Sequence, residues 1–81
     1  MMKDLRETAL DILEAACETD EVREGDDMDL FEAGILDSIG MVSVIVEIEK
    51  QLGITLQPTD LQKEDVKCVN NFVKYLEKIK K

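Results

Sequence analysis

Ser38 follows Asp37 and opens an apolar run, Ile39 to Ile48, interrupted only by Gly40, Ser43 and Glu47. A serine so placed has three chemistries open to it: hydrolase nucleophile, acceptor of a phosphate ester, or cap of a helix. The first fails. Leu36 occupies the first glycine position of G-x-S-x-G. The chain has no His, which removes the usual general base, the commonest metal ligand and every Ser-His or Cys-His pair. No catalytic residue is assigned, and the chain is read as a non-enzyme. The other two chemistries stay open. At the start of a helix the dipole and unpaired backbone N–H groups stabilise a phosphate ester, while Ser is equally at home there as a plain N-cap.

The remaining reactive side chains form no site. Asp27 and Asp29 fit positions 1 and 3 of a calcium loop, but position 5 falls on Phe31, position 6 on Glu32 in place of glycine, and position 12 on Ser38 in place of glutamate. No metal site is assigned. Cys17 and Cys68 match no metal-ligand spacing and are too few for a disulfide framework, so both are read as small buried hydrophobes.

The elements that must position Ser38 are all helical. Leu5, Ala9, Ile12, Leu13, Ala16 and Cys17 recur at helical spacing and predict a first helix over residues 5–17, with Asp4 and Glu7 at its start. A polar, acid-rich loop follows from Glu18 to Asp29, and Leu30, Phe31, Ile35 and Leu36 anchor its far end on the core around Gly34. The second helix runs from Ser38 to Leu52, with Asp37 an N-cap type and Gly53 at the place of a left-handed C-terminal cap. Thr59-Asp60-Leu61-Gln62 has the form of a capping box and predicts a short third helix. Val69, Phe72, Val73, Leu76 and Ile79 share one face of a last helix, with Lys74, Lys78, Lys80 and Lys81 toward its negative end.

The second helix has more apolar surface than one core can use. Met41, Val44, Ile45, Ile48 and Leu52 make one stripe, whereas Ile39, Val42 and Val46 point about 100° to 160° away from Met41. That second patch is read as a docking surface for another protein, the alternative being contact with the long loop or another helix. With 81 residues there is room for a single domain, 1–81, and a monomer is expected. The net charge of -9 is the wrong sign for binding nucleic acid or anionic lipid. No stretch approaches the roughly 18 apolar residues of a membrane span, and Met1-Met2-Lys3-Asp4 lacks the pattern of a signal peptide, so no membrane insertion and a cytoplasmic location are expected.

The segment Leu30-Phe31-Glu32-Ala33-Gly34-Ile35-Leu36-Asp37-Ser38-Ile39-Gly40 closely resembles the LFxxGxxDS segment of the acyl and peptidyl carrier proteins. The order of helices and loop resembles that family over most of the chain. The resemblance implies an all-α, four-helix bundle with a long first loop and a short third helix. It implies that Ser38 receives 4'-phosphopantetheine from coenzyme A through a phosphopantetheinyl transferase, assisted by Asp37. It also implies that an acyl or aminoacyl group rides on that arm as a thioester. An adenylating ligase or acyltransferase would load it, and a downstream acceptor enzyme would unload it. Ile39, Val42 and Val46 fit the surface such partners recognise.

Within the family, the closest resemblance is to the stand-alone D-alanyl carriers of teichoic acid modification. It is carried by Glu32 through Gly40, by Val46-Glu47-Ile48-Glu49, and by Pro58-Thr59-Asp60-Leu61 with Glu64-Asp65. The second helix also lacks the strong acidity of fatty-acid carriers, offering only Asp37, Glu47 and Glu49 against Lys50. One departure stands out: those D-alanyl carriers have an aromatic residue and a Thr-Pro-Asn step before the last helix, where this chain has Val66-Lys67-Cys68-Val69-Asn70. Carriers of fatty-acid, polyketide or nonribosomal peptide pathways are the alternative within the family. A helical adaptor in which Ser38 is only a cap is the alternative outside it. Gly40 beside Ser38 either opens space for the arm or an enzyme or is a tolerated first-turn glycine.

Residues 1–36 hold 12 acidic and 3 basic side chains, whereas residues 37–81 hold 7 of each, so the whole excess charge sits in the first helix and long loop. Self-repulsion in that half is screened by salt. The melting temperature of the apo chain is therefore expected to rise between low and moderate ionic strength. Melts that show no gain would contradict this.

Overall fold

The computed structural model describes residues 4–25 and 27–80. Among them the regular structure is entirely helical: α1 (Leu5–Cys17), α2 (Ser38–Leu52) and α3 (Val69–Ile79), with 3-10 turns at Glu21–Glu24, Pro58–Asp60 and Lys63–Val66. Asp4 Oδ1 accepts the Glu7 N–H at 2.8 Å and starts α1. Gly53, at φ 69°, ends α2 by donating its N–H to the Glu49 carbonyl at 2.9 Å. The three α-helices keep the limits expected of them. Lys80 caps α3 and Lys78 stands in its last turn, while Lys81 lies outside the described residues.

The expected third helix does not form as one element, so the α-helices number three and not four. Its place is taken by two 3-10 turns separated by Leu61 and Gln62, of which Leu61 is extended (φ -112°, ψ 117°) and 2% exposed. Each turn is closed by its own acid: Asp60 Oδ2 accepts the Gln57 N–H, and Asp65 Oδ2 accepts the Gln62 N–H, both at 2.9 Å. The expected capping box of Thr59 with Gln62 does not form; the Gln62 side-chain amide instead donates to the Thr59 carbonyl at 2.9 Å. Putting Leu61 into the core requires an extended residue between the turns, and this breaks helical continuity.

The core is made by helices and loops together. Leu10, Ile12 and Leu13 of α1, Val44 and Ile48 of α2, and Val69, Phe72 and Leu76 of α3 are fully buried or nearly so. Val22, Leu30, Leu36, Leu61 and Val66 join them from the connecting segments. Leu10 and Tyr75 lie outside the stripes read from the sequence. The Tyr75 hydroxyl donates to the Asp60 carbonyl at 2.9 Å and so ties α3 to the first of the paired turns. Cys17 and Cys68 are free thiols but only half-buried, because Cys17 ends α1 and Cys68 is the N-cap that starts α3.

The acid-rich loop is also more ordered than its composition suggests. Its Glu21–Glu24 turn places Val22 in the core and lays the Arg23 guanidinium along α1, 2.5 Å from Glu14, 3.0 Å from Asp11 and 3.5 Å from Glu7. Residues 7, 11 and 14 share a helix face, so one cation screens three carboxylates. Further along, the Asn70 amide donates to Asp27 at 2.5 Å.

Glu18, the C-cap of α1, has φ 56° and is the one non-glycine residue with positive φ among those described. A side chain in the left-handed region costs stability, and a negative charge here also faces the negative end of the α1 dipole. Glu18→Gly is expected to stabilise the fold by about 0.5–1 kcal/mol, read from the urea midpoint. An unchanged or lower midpoint would show that Glu18 is held there by something else.

Candidate functional site

The site begins in the turn that delivers the chain to α2. Asp29 Oδ1 accepts the N–H groups of Phe31 and Glu32, each at 3.0 Å, and the Asp29 carbonyl accepts from Ala33 at 2.9 Å. Gly34 then reverses the chain at φ 74°, a conformation that favours glycine. The N–H groups of Ile35 and Leu36 both return to the Leu30 carbonyl at 3.0 Å. Leu30 donates its own N–H to the Lys67 carbonyl at 2.7 Å, which fastens the turn to the far side of the domain. With Leu30 and Leu36 buried, the next two residues are set at the surface.

Asp37 is extended (φ -139°, ψ -171°) and is the N-cap of α2. Its Oδ1 accepts the Gly40 N–H at 2.8 Å, and its carbonyl accepts the Met41 N–H at 2.9 Å. Ser38 is the first helical residue, exposed to solvent, and its hydroxyl has no hydrogen bond among the described residues. The alternative in which Ser38 serves only as a cap is therefore corrected: the better acceptor, a carboxylate, sits one residue earlier and already does that work. The N–H groups of Ser38 and Ile39 have no carbonyl a turn earlier in the helix to bond, so they remain available at its positive end. An exposed hydroxyl beside free donors fits a bulky phosphodiester.

The surroundings divide between apolar surface and core. Ile39, Val42 and Val46 are 77%, 57% and 46% exposed, whereas Val44 and Ile48 on the inner stripe are fully buried. A shallow groove of about 220 Å³ lies between the end of α1 and the start of α2, with Cys17, Ile35, Ile39 and Ser43 among its walls. Burial first, and the Asp37 charge second, push the Cys17 thiol above its ordinary pKa, so it is a protonated neighbour at neutral pH and not a nucleophile. Among the described residues no group of three or more His, Cys, Asp or Glu is placed to hold a metal ion.

Gly40 is buried, and the space beside it is already filled. A Cβ built on it would lie 2.7 Å from Leu36 Cδ1. The expectation that this glycine opens room for an arm or an enzyme is replaced by a packing role. Neither that contact nor the Leu30–Lys67 bond has a local sequence signal, since each joins residues whose types alone do not specify a partner.

Residues 3–76 match the family model described as a phosphopantetheine attachment site. The chain is 42% identical over 79 residues to the D-alanyl carrier protein of Bacillus cereus (strain B4264) and, at the same identity, to that of Bacillus anthracis (strain CDC 684 / NRRL 3495). In both cases the match covers 98% of this chain and 100% of the relative.

The cap geometry makes its own prediction. Asp37→Ala removes the acceptor for the Gly40 N–H and is expected to cost about 1 kcal/mol, whereas Asp37→Asn keeps an acceptor and most of that stability. Urea denaturation of the three chains tests this; an Asp37→Ala chain as stable as the parent would remove the cap from the account.

Proposed function

The chain belongs to the phosphopantetheine-attachment carrier family, and from that membership we propose that Ser38 bears the arm and that the cargo is D-alanine destined for teichoic acid. The chain is a carrier and not itself an enzyme; partner enzymes perform the chemistry. The observation that carries the Ser38 assignment is its exposed, unbonded hydroxyl, free because Asp37 caps the helix.

In the attachment step the Ser38 hydroxyl gives up its proton to a base of the transferase or to water. Its Oγ forms a bond to the phosphorus that bears the pantetheine, and the phosphoanhydride bond breaks. The electron pair leaves with 3',5'-adenosine bisphosphate. Asp37 Oδ1 is committed to the Gly40 N–H, while Oδ2 makes no hydrogen bond among the described residues, which supports a second role for Asp37 in assisting the transferase. Once attached, the group supplies a terminal thiol on which an acyl cargo is held as a thioester. The residues of this chain then do only two things: Ser38 fixes the root of the tether, and Ile39, Val42 and Val46 beside it offer partners a grip. A partner held on that patch meets the cargo at high effective concentration.

The three α-helices, with the two 3-10 turns at Pro58–Asp60 and Lys63–Val66 in the place of a third helix, are read as the four-element carrier bundle, a single domain over 1–81. The cargo assignment draws on the names of the 42% identical relatives and on the weakly acidic α2. The partners that follow are a phosphopantetheinyl transferase, an adenylating ligase and a downstream acceptor enzyme. The arm comes from coenzyme A and ligation needs a nucleoside triphosphate, both cytoplasmic supplies, which supports the cytoplasm as the place of loading. Among the described residues no helix is long and apolar enough to cross a membrane.

Mass spectrometry after incubation with coenzyme A and a broad-specificity transferase is expected to show one added phosphopantetheine, and none in Ser38→Ala. No gain in the parent would overturn the assignment. The modified chain, offered D-alanine, other amino acids and fatty acids with their activating ligases, is expected to load D-alanine best, and preferential fatty acylation would overturn the cargo. Val42→Asp is expected to slow loading about tenfold or more without unfolding the chain, as for a central apolar contact at an interface.

A further inference from the structure

We infer that Gly40 is a positioning residue for arm attachment: its missing side chain lets Leu36 seat against the first turn of α2, and that seat holds Asp37 and Ser38 in their working places. The inference rests on Ser38 as the attachment site. A glycine inside a helix is disfavoured against alanine by up to about 1 kcal/mol, so its presence calls for a reason. Backbone conformation is not that reason, because Gly40 lies within α2 and the positive-φ glycines are Gly34 and Gly53. Contact is. A Cβ at position 40 would lie 2.7 Å from Leu36 Cδ1, 3.7 Å from Leu36 Cγ and 3.4 Å from Asp37 Oδ1.

Two movements could relieve that overlap. Leu36 could rotate, but it is 3% exposed within the core, and interiors at native packing density leave little room for a second rotamer. Its backbone cannot slide freely either, since the Leu36 N–H is held by the Leu30 carbonyl and Leu30 by Lys67. The first turn of α2 could instead move outward. Its attachments there are the two bonds that Asp37 makes, to the Gly40 N–H and the Met41 N–H. A methyl group at position 40 therefore loads the cap directly, and with it the carboxylate and hydroxyl that the transferase must meet in register.

The experiment compares the parent, Gly40→Ala, Leu36→Val and the double variant Leu36→Val/Gly40→Ala. Attachment from coenzyme A is followed by mass, with the urea midpoint and the amide NMR shifts of residues 37 and 38 as independent readouts. Gly40→Ala is expected to lower kcat/KM for attachment about tenfold or more, as misplacement of a reacting group does, and to shift both amides. Leu36→Val removes both δ-carbons, the overlapping Cδ1 among them, and is expected to restore attachment and amide shifts in the double variant to those of Leu36→Val alone. Attachment at the parent rate in a folded Gly40→Ala chain with unmoved amides overturns the inference, as does a double variant that falls as far below Leu36→Val alone as Gly40→Ala falls below the parent. If Gly40→Ala does not fold, the Leu36→Val pair decides: equal rates and shifts support the seat, a tenfold deficit in the double variant overturns it. Failure of the Ser38 reading looks different, because the parent itself would then take up no arm, while the amide shifts would still decide the seat.

Discussion

Asp37 accepts the Gly40 N–H at 2.8 Å, and the state of the neighbouring hydroxyl depends on that bond. A helix start leaves several N–H groups without partners, and a serine at the boundary commonly turns its oxygen back to satisfy one of them. A carboxylate one residue earlier is the stronger acceptor and is also favoured by the dipole. With the cap assigned to Asp37, Ser38 moves into the first helical position, where its hydroxyl points to solvent and has nothing to satisfy. The same two-residue unit thus separates anchoring from reactivity.

Holding that unit still is harder than the shortness of the chain suggests, because a small domain has few buried residues to spare. The connecting segments make up the difference. Leu30 and Leu36 bracket the Gly34 reversal and are both buried, so the loop before Ser38 is part of the core and not an accessory to it. The bond from Leu30 to the Lys67 carbonyl carries this constraint across to the turn preceding α3. Arg23 does comparable work at the acidic end, where the carboxylates of Glu7, Asp11 and Glu14 would otherwise face one another on α1.

Where the sequence was legible, periodicity and capping chemistry agreed. Asp4, Asp37 and Gly53 stand at the boundaries that their side chains or backbone freedom dictate, and the limits of α1, α2 and α3 follow from them together with the apolar spacing. It was less legible where turns compete. Thr59 to Gln62 has the form of a cap, yet Gln57 with Asp60 and Gln62 with Asp65 form the actual pairs, because burial of Leu61 outranks the local pattern. The Glu21–Glu24 turn was hidden for a related reason: Val22 is a single apolar residue among acids, and no period can be read from one position. At the site, residue types and order pointed to Ser38 and Asp37, but the packing of Leu36 on Gly40 could be learned only in three dimensions.

The outer face of α2 carries the remaining tension. Ile39, Val42 and Val46 are exposed although Val44 and Ile48, on the same helix, already supply the core. Exposed apolar side chains on successive turns invite self-association, and a protein that had no use for them would gain solubility from polar replacements. A net charge of -9, concentrated in residues 1–36, opposes that association through repulsion between copies. The combination suits a carrier better than a permanent subunit. On the proposed reading, long-range repulsion would keep like molecules apart, while a small apolar patch beside the Ser38 hydroxyl would give successive partners enough contact to engage and too little to be retained.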